Sequence, residues 1–283
     1  MNPRTETLQE VFRLGASLLE GSPHALVEAK VLLLRAARLS EEVFLAAPQA
    51  GLAPPARAFF LRLVEKRRRG VPLSYLTGTR EFWSIPLGVS ASVLIPRPET
   101  EVLVEKVLEL SSRERETILD VGTGSGNIAI ALAKELPRAR ILAADVSLRA
   151  LCVARRNAER LKARRVEFLQ SDMFSAFRGT GVRFDFIVSN PPYVSAREWQ
   201  VLPPEVRDYE PRRALLAGES GLEVIRRLVG RAGRFLRPGG YLIFEIGDGQ
   251  RDEVLGLFGK RWTEIETAWD LAGKPRVITA RRA

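Results

Sequence analysis

The sequence predicts an α/β protein, in which a small helical domain precedes a mostly parallel, doubly wound sheet of seven strands. Three observations carry this. From Thr117 onward, short apolar runs alternate with stretches of helical period, a glycine-rich loop joins the first run to its helix, and residues 1–75 show helical spacing only. The 283 residues suffice for two domains, and a hydrophobic content of 46% can supply their cores.

In chain order, Leu8, Val11, Phe12, Gly15, Leu18 and Leu19 recur at helical spacing. Gly21-Ser22-Pro23 breaks that pattern, and predicts a new helix with Ser22 as N-cap and Pro23 at its first position. Leu26, Ala29, Leu33 and Ala37 form one face of this second helix, with His24 at its start read as a surface or capping residue. After a short segment at 43–47 and a loop with Gly51 and Pro54-Pro55, another helix carries Phe59, Phe60, Leu63 and Val64. It closes on Lys66-Arg67-Arg68-Arg69-Gly70, with cations at the negative end of the dipole and a glycine to stop it. The cations serve either as a cap or as a partner-binding patch. Residues 76–98, punctuated by Pro86, Gly88, Pro96 and Pro98, predict a connecting hairpin, in which Phe82 and Trp83 suit interdomain packing. The run from Ile95 through Pro96-Arg97-Pro98 to Glu101 then enters a helix with Val104 and Leu108. Arg97 there is either held near a ligand or exposed in a loop. Strands are predicted at 118–121, 141–146, 166–169, 184–189 and 241–246, with helices from about 126, 147 and 221. Segments 263–267 and 276–280 complete the sheet, the last antiparallel. Cys152 is placed on the apolar face of its helix, in the core.

Composition excludes several chemistries. One cysteine cannot form an internal disulfide, and one histidine leaves zinc clusters and histidine-dependent triads without their parts, so no metal is expected. The first 20 residues mix charges with leucines, so neither a secretory signal nor a membrane span is expected and the predicted location is cytoplasmic. A net charge of +10 favours acidic partners. With 37 arginines against 7 lysines, however, the bias fits genome composition or a hot habitat equally well, and function is not rested on it.

Asp120-Val121-Gly122-Thr123-Gly124-Ser125-Gly126-Asn127 follows the first strand of the sheet and opens its helix, where glycines admit a ligand close to the backbone. A dinucleotide fingerprint would place glycine or alanine at Asn127, and a phosphate loop would need Gly-Lys-Ser/Thr. Asp145 ends the second strand, where a carboxylate can accept from both hydroxyls of a ribose. On the loop alone, a dehydrogenase relic or a plain tight turn stays open. Asn190-Pro191-Pro192-Tyr193 ends the fourth strand at the sheet edge where ligands bind in open α/β folds. Prolines hold the carbonyls of Asn190 and Pro191 rigidly, and an amide plus an aromatic face suits a planar NH2 group.

Asp120-x-Gly122-x-Gly124-x-Gly126, Asp145, Asp172-Met173 and Asn190-Pro191-Pro192-Tyr193 resemble the signature series of class I S-adenosylmethionine-dependent methyltransferases. The segment 76–82, Leu94-Ile95-Pro96-Arg97-Pro98-Glu99-Thr100-Glu101, Tyr209-Glu210-Pro211-x-x-Ala214-Leu215 and Gly218-x-x-Gly221 narrow this. They resemble the HemK/PrmC family, the peptide-chain release factor glutamine-N5 methyltransferases, whose substrate-binding domain the helical segment is also similar to. The resemblance implies a Rossmann-like domain at 99–283, a connecting segment at 76–98 and a helical substrate-binding domain at 1–75. It implies S-adenosylmethionine held by Asp120, Gly122, Thr123, Gly124, Asp145, Val146, Asp172 and Met173, with Asn190 shared. It implies Asn190, Pro191 and Tyr193 as catalytic and Asn190, Pro191, Pro192, Tyr193 and Arg97 as substrate-binding. The implied partner is the release factor, acting on its Gly-Gly-Gln glutamine, with no membrane, no required nucleic acid and a monomeric enzyme. Rival readings are methylation of a ribosomal-protein glutamine, adenine-N6 methylation of RNA or DNA, whose exocyclic amine has the same planar geometry, and a non-enzymatic module that docks on ribosomal components.

Overall fold

A computed structural model describes residues 6–112 and 114–283; the first five residues of the amino-terminal stretch read above lie outside these. The chain divides into two compact units, Met1–Gly78 with Pro204–Tyr209, and Thr79–Pro203 with Glu210–Ala283. No helix among the described residues is long and apolar enough to cross a membrane.

The smaller unit contains α1 (Leu8–Leu18), α2 (Ala25–Ala37), α3 (Glu41–Ala46), α4 (Pro54–Arg68) and α5 (Leu73–Thr77). Thr7 and Glu10 form a reciprocal capping box at the start of α1, satisfying two backbone N–H groups that the helix itself cannot. The apolar faces of α1, α2 and α4 meet in a core of Leu8, Val11, Ala29, Leu32, Leu33, Phe60, Leu63 and Val64, closed by Phe44 of α3. A methyl group at Gly15 would overlap the Phe60 ring, so α1 needs a glycine where α4 presses against it. Ser22 does not cap α2. Residues 22–24 form a turn in which the Ser22 hydroxyl accepts from His24 N–H, and α2 begins at Ala25 with no side-chain cap. Pro23 is therefore spent on the turn, and not on the first helical position. Arg67 is neither a plain cap nor a free cation: its guanidinium reaches buried Glu28 (2.8 Å), Glu205 (2.8 Å) and the Val71 carbonyl (3.1 Å). With the Tyr209 hydroxyl on the Arg69 carbonyl (2.6 Å), this ties the segment 204–209 to the helices.

The larger unit opens with the antiparallel hairpin β1 (Thr79–Phe82) and β2 (Ile85–Gly88). The hairpin expected as a connector is therefore part of this unit, because Phe82, Ile85 and Leu87 are buried in its core. α6 (Glu101–Leu110) precedes the alternation β3 (Thr117–Val121), α7 (Asn127–Glu135), β4 (Arg140–Asp145), α8 (Leu148–Arg160), β5 (Val166–Gln170) and β6 (Phe184–Ser189). A short parallel pair, β7 (Val194–Ser195) and β8 (Leu216–Gly218), is followed by the helix Glu223–Ala232, β9 (Leu236–Glu245), β10 (Trp262–Trp269) and β11 (Pro275–Arg282). Seven strands form one sheet in the order β10-β11-β9-β6-β3-β4-β5, with β11 antiparallel to both of its neighbours. Alternate residues feed two cores, Ile118, Ile141 and Phe186 on one face and Leu119, Leu142 and Ile187 on the other, as expected of a sheet covered on both sides. Cys152 is exposed, contrary to expectation. Ala150, Leu151, Ala154 and Ala158 are the face α8 buries, and Cys152 lies off it.

Candidate active site

β3 is the first strand of the alternation, with β4 and β5 on one side and β6 and β9 on the other, so the sheet switches direction at the carboxyl ends of β3 and β6. A crevice for ligands opens at such a point. The glycine loop leaves β3 there. Gly122 and Thr123 both donate backbone N–H bonds to the Ala144 carbonyl of β4 (2.8 and 3.0 Å), which turns the loop across the strand ends. Gly122 and Gly124 have φ of 78° and 54°, a region that costs other residues strain. A side chain at Gly122 would meet nothing within 4 Å, and one at Gly124 only the Gly122 carbonyl at 3.9 Å. These two positions thus keep space open, whereas Gly126, at the start of α7, has Ile130 and Ala154 within 3.1–3.2 Å of such a side chain.

Two acids frame the loop. Asp120 is fully buried; its Oδ2 accepts from the Thr123 hydroxyl (2.6 Å), and among the described residues its Oδ1 has no partner at good hydrogen-bond geometry, the Ala129 N–H acting only weakly on the carboxylate. Burial, reinforced by the charge of Asp145, pushes the Asp120 carboxyl up to about 7 against the hydrogen bond from Thr123. Asp145, also raised by burial, accepts from Gly124 N–H (2.9 Å) and Ser147 N–H (2.8 Å), one on each oxygen. Val146 beside it is exposed. Met173 is buried with φ of 52°, and the Asp172 carboxylate takes both its bonds from Arg227 (2.9 Å each).

The second half of the site begins where the Ser189 hydroxyl ties the end of β6 to the Val121 carbonyl (2.7 Å). Pro191 is buried, and Asn190, Pro192 and Tyr193 are partly so. Asn190 Nδ2 donates to Thr100 Oγ1 (3.0 Å), Thr100 donates to Glu245 Oε2 (2.5 Å), and the Tyr193 hydroxyl donates to Glu245 Oε1 (3.1 Å). Burial pushes the Glu245 carboxyl up to about 7, and burial together with the adjacent carboxylate raises the Tyr193 phenol. Arg97 pairs with Glu210 (2.5 Å), which also accepts from Ile95 N–H (3.0 Å), so its guanidinium is engaged within this unit. The structure thus brings Asn190, Pro191 and Tyr193 together, and adds Thr100 and Glu245, which sequence reasoning did not single out. Glu245 had a readable signal, as the one acid within the apolar run 242–246. Thr100 stood inside the segment from Ile95 to Glu101, but a threonine at a helix entrance reads first as a cap.

Gly221 supports this loop from behind. Its φ is 80°, and a side chain there would stand 2.7 Å from the Tyr193 carbonyl, which Gln250 Nε2 already holds at 3.0 Å. Gly221→Ala is expected to cost about 1–3 kcal/mol by overpacking and to lower turnover with it, since the displaced atom is backbone of the Asn190 loop. A thermal melt and a turnover assay check both; an unshifted melt with normal turnover refutes this support.

Family models match both parts of the chain: the PrmC N-terminal domain over residues 10–78 and the Methyltransferase small domain over 98–202. The chain is 41% identical over 279 residues to a release factor glutamine methyltransferase of Koribacter versatilis (strain Ellin345), covering 98% of this chain and 99% of that one. It is 43% identical over 278 residues to one from Moorella thermoacetica, covering 97% and 96%. Among solved structures, a methyltransferase from Pyrococcus furiosus shares the fold, with a TM-score of 0.53 and 19% identity over 70% of this chain and 88% of that one.

Proposed function

Because the chain belongs to the release factor glutamine methyltransferase family, we propose that it transfers a methyl group from S-adenosylmethionine to the side-chain amide nitrogen of the Gly-Gly-Gln glutamine of peptide-chain release factors. One observation supports the acceptor assignment above others. One N–H of the Asn190 amide is given to Thr100, which orients the side chain, and its oxygen can then accept from the NH2 group of a ligand.

The loop residues fit the methyl donor. Asp120 offers a buried, unpaired carboxylate oxygen to an amino group, Gly122 and Gly124 leave open space, and Asp145 keeps a lone pair on each oxygen for ribose hydroxyls. Val146, Asp172 and Met173 are assigned to the adenine end, Asp172 through its backbone because Arg227 occupies its carboxylate. When bound, S-adenosylmethionine supplies an electrophilic methyl group on a sulfonium.

The protein's task is to aim a weak nucleophile, because an amide lone pair is delocalised into its carbonyl. Asn190 Oδ1 and the Pro191 carbonyl accept the two N–H bonds of the glutamine amide and turn its lone pair toward the methyl group. Orientation alone is worth up to about 7–11 kcal/mol in ideal intramolecular reactions. The same two dipoles stabilise the positive charge that grows on nitrogen, by about 2–4 kcal/mol for a well-placed partner. The proton leaves to water after transfer. Incubation with labelled S-adenosylmethionine and purified release factors, followed by peptide mass spectrometry, tests the assignment: label on the Gly-Gly-Gln glutamine is expected, and label on another protein glutamine or on RNA refutes it.

The raised Asp120 carboxyl adds a pH dependence. Pairing with a cationic amino group requires the ionised form, which the free protein reaches only near pH 7. Binding below that value expels a proton, so affinity for S-adenosylmethionine rises with pH, by up to about tenfold per unit, and levels off above about 7. In the free protein the sign for stability is opposite: the stabilisation is full below the ordinary carboxylate range and is lost as pH rises through about 7. Calorimetric titration from pH 5.5 to 8.5 measures the affinity slope, and Asp120→Asn is expected to abolish it; a slope unchanged in that variant places the proton elsewhere.

A further inference from the structure

Glu245 is a buried acid with no place in the chemistry above, yet it is built into the site. The parallel register pairs Ser189 of β6 with Phe244 of β9, so the next residues along, Asn190 just beyond the end of β6 and Glu245 at the end of β9, lie side by side. Thr100 lies between them in hydrogen-bond terms, completely buried, and its one hydroxyl proton is given to Glu245 at 2.5 Å. What Thr100 presents to Asn190 is therefore a lone pair, and Asn190 meets it with its NH2 group at 3.0 Å. A reversed Asn190 amide would set its oxygen against that lone pair. We propose that Glu245, acting through Thr100, is a positioning residue that fixes which end of the Asn190 amide faces the methyl acceptor. This deepens the methyl-transfer reading and rests on it for its catalytic consequence.

The chain of bonds has a direction because a carboxylate only accepts. Each link also polarises the next, so the Asn190 oxygen becomes a better acceptor for the substrate N–H. Protonation of Glu245 removes the direction: the acid can donate to Thr100, whose proton is then free to turn toward Asn190 and stabilise the reversed amide. A reversed Asn190 offers donors to a substrate amide that needs acceptors. The groups facing Glu245 are Tyr193 and Thr100, which hydrogen-bond it, Arg276 of β11, whose charge favours ionisation, and Glu99, whose charge opposes it. Arg97 acts on the same cluster through Tyr193, and Arg276 is itself held by Asp270 at 3.0 Å. Burial outweighs the favourable members and leaves Glu245 titrating near 7.

The test uses the full chain and reads the Asn190 side-chain amide directly by 15N–1H NMR, the signal being assigned through its loss in Asn190→Ala. In the free protein this signal is expected to shift with a midpoint near pH 7, to keep doing so in Thr100→Ser, and to stay fixed in Glu245→Gln. In methyl transfer to release factor, kcat of the wild type and of Thr100→Ser should fall below that same midpoint. Glu245→Gln and Thr100→Val should lose the acid limb, with kcat at pH 8 lower by about ten- to a hundredfold and with KM and S-adenosylmethionine affinity unchanged. An Asn190 signal that does not titrate, or that titrates unaltered in Glu245→Gln, overturns the proposal, as does normal kcat in Thr100→Val. If the amide obeys Glu245 but no methyl group reaches glutamine, the positioning chain stands and the functional reading falls. If methyl transfer proceeds while the amide ignores Glu245, the reverse holds.

Discussion

Asn190→Ala is expected to lower turnover on release factor by at least about a hundredfold while affinity for S-adenosylmethionine stays within about threefold of the wild type. The asymmetry follows from where the side chain's bonds go. The Asn190 side chain bonds Thr100, whereas the donor loop is held by Gly122 and Thr123 on the Ala144 carbonyl and by Gly124 and Ser147 on Asp145. None of those four bonds involves Asn190. On the proposed mechanism, its removal takes away one of the two acceptors that would aim the glutamine amide, and with it both the orientation and part of the charge stabilisation on nitrogen. Because the interaction strengthens as charge develops, the loss falls on kcat more than on KM. Single-turnover kinetics with saturating S-adenosylmethionine, beside a calorimetric binding curve, separates the two effects. Near-normal turnover would remove Asn190 from the chemistry; a parallel collapse of cofactor binding would make it a structural residue of the donor loop.

The sheet was legible because buried parallel strands are written as nearly continuous apolar runs. Phe184–Ser189 coincides with its predicted bounds, and the antiparallel last strand was anticipated from its place after the alternation. The glycine loop was legible because three positive-φ positions at alternate residues, Gly122, Gly124 and Gly126, between a strand and a helix leave few residue choices. What escaped was set by competition within a local turn, by which face of a helix packs, and by partners distant in sequence. Ser22 has the chemistry of a helix cap, but the turn before α2 uses its hydroxyl first. Cys152 has the apolarity of a core residue, but α8 is packed through the alanines beside it. Thr100 and Glu245 are 145 residues apart, and only the β6–β9 register brings Glu245 beside Asn190. For Arg97 the flanking prolines left two readings open, a side chain held near a ligand or one exposed in a loop, and what neither foresaw is its ion pair with Glu210, 113 residues away.

Phe60→Ala is expected to destabilise the helical unit by about 3–5 kcal/mol. Phe60 is fully buried at the centre of a core that is separate from both cores of the larger unit. α1 has a glycine opposite the ring, so no neighbouring side chain stands ready to refill the space. A unit of this size has little stability to spare, and the loss is therefore expected as local unfolding confined to it. Hydrogen exchange should show protection lost over α1, α2 and α4 while β3, β4, β6 and α7 keep theirs, and S-adenosylmethionine should bind as before, since every residue assigned to it lies in the other unit. The consequence for catalysis tests whether the helical unit grips the protein substrate. Methyl transfer to an intact release factor should fall through a rise in KM of at least about tenfold, whereas transfer to a short Gly-Gly-Gln peptide, too small to need that grip, should be unchanged. Unaltered kinetics on the intact release factor, with the helices demonstrably unprotected, would remove substrate binding from the helical unit. Equal losses on protein and peptide would show instead that the unit supports the methyl-transfer site itself.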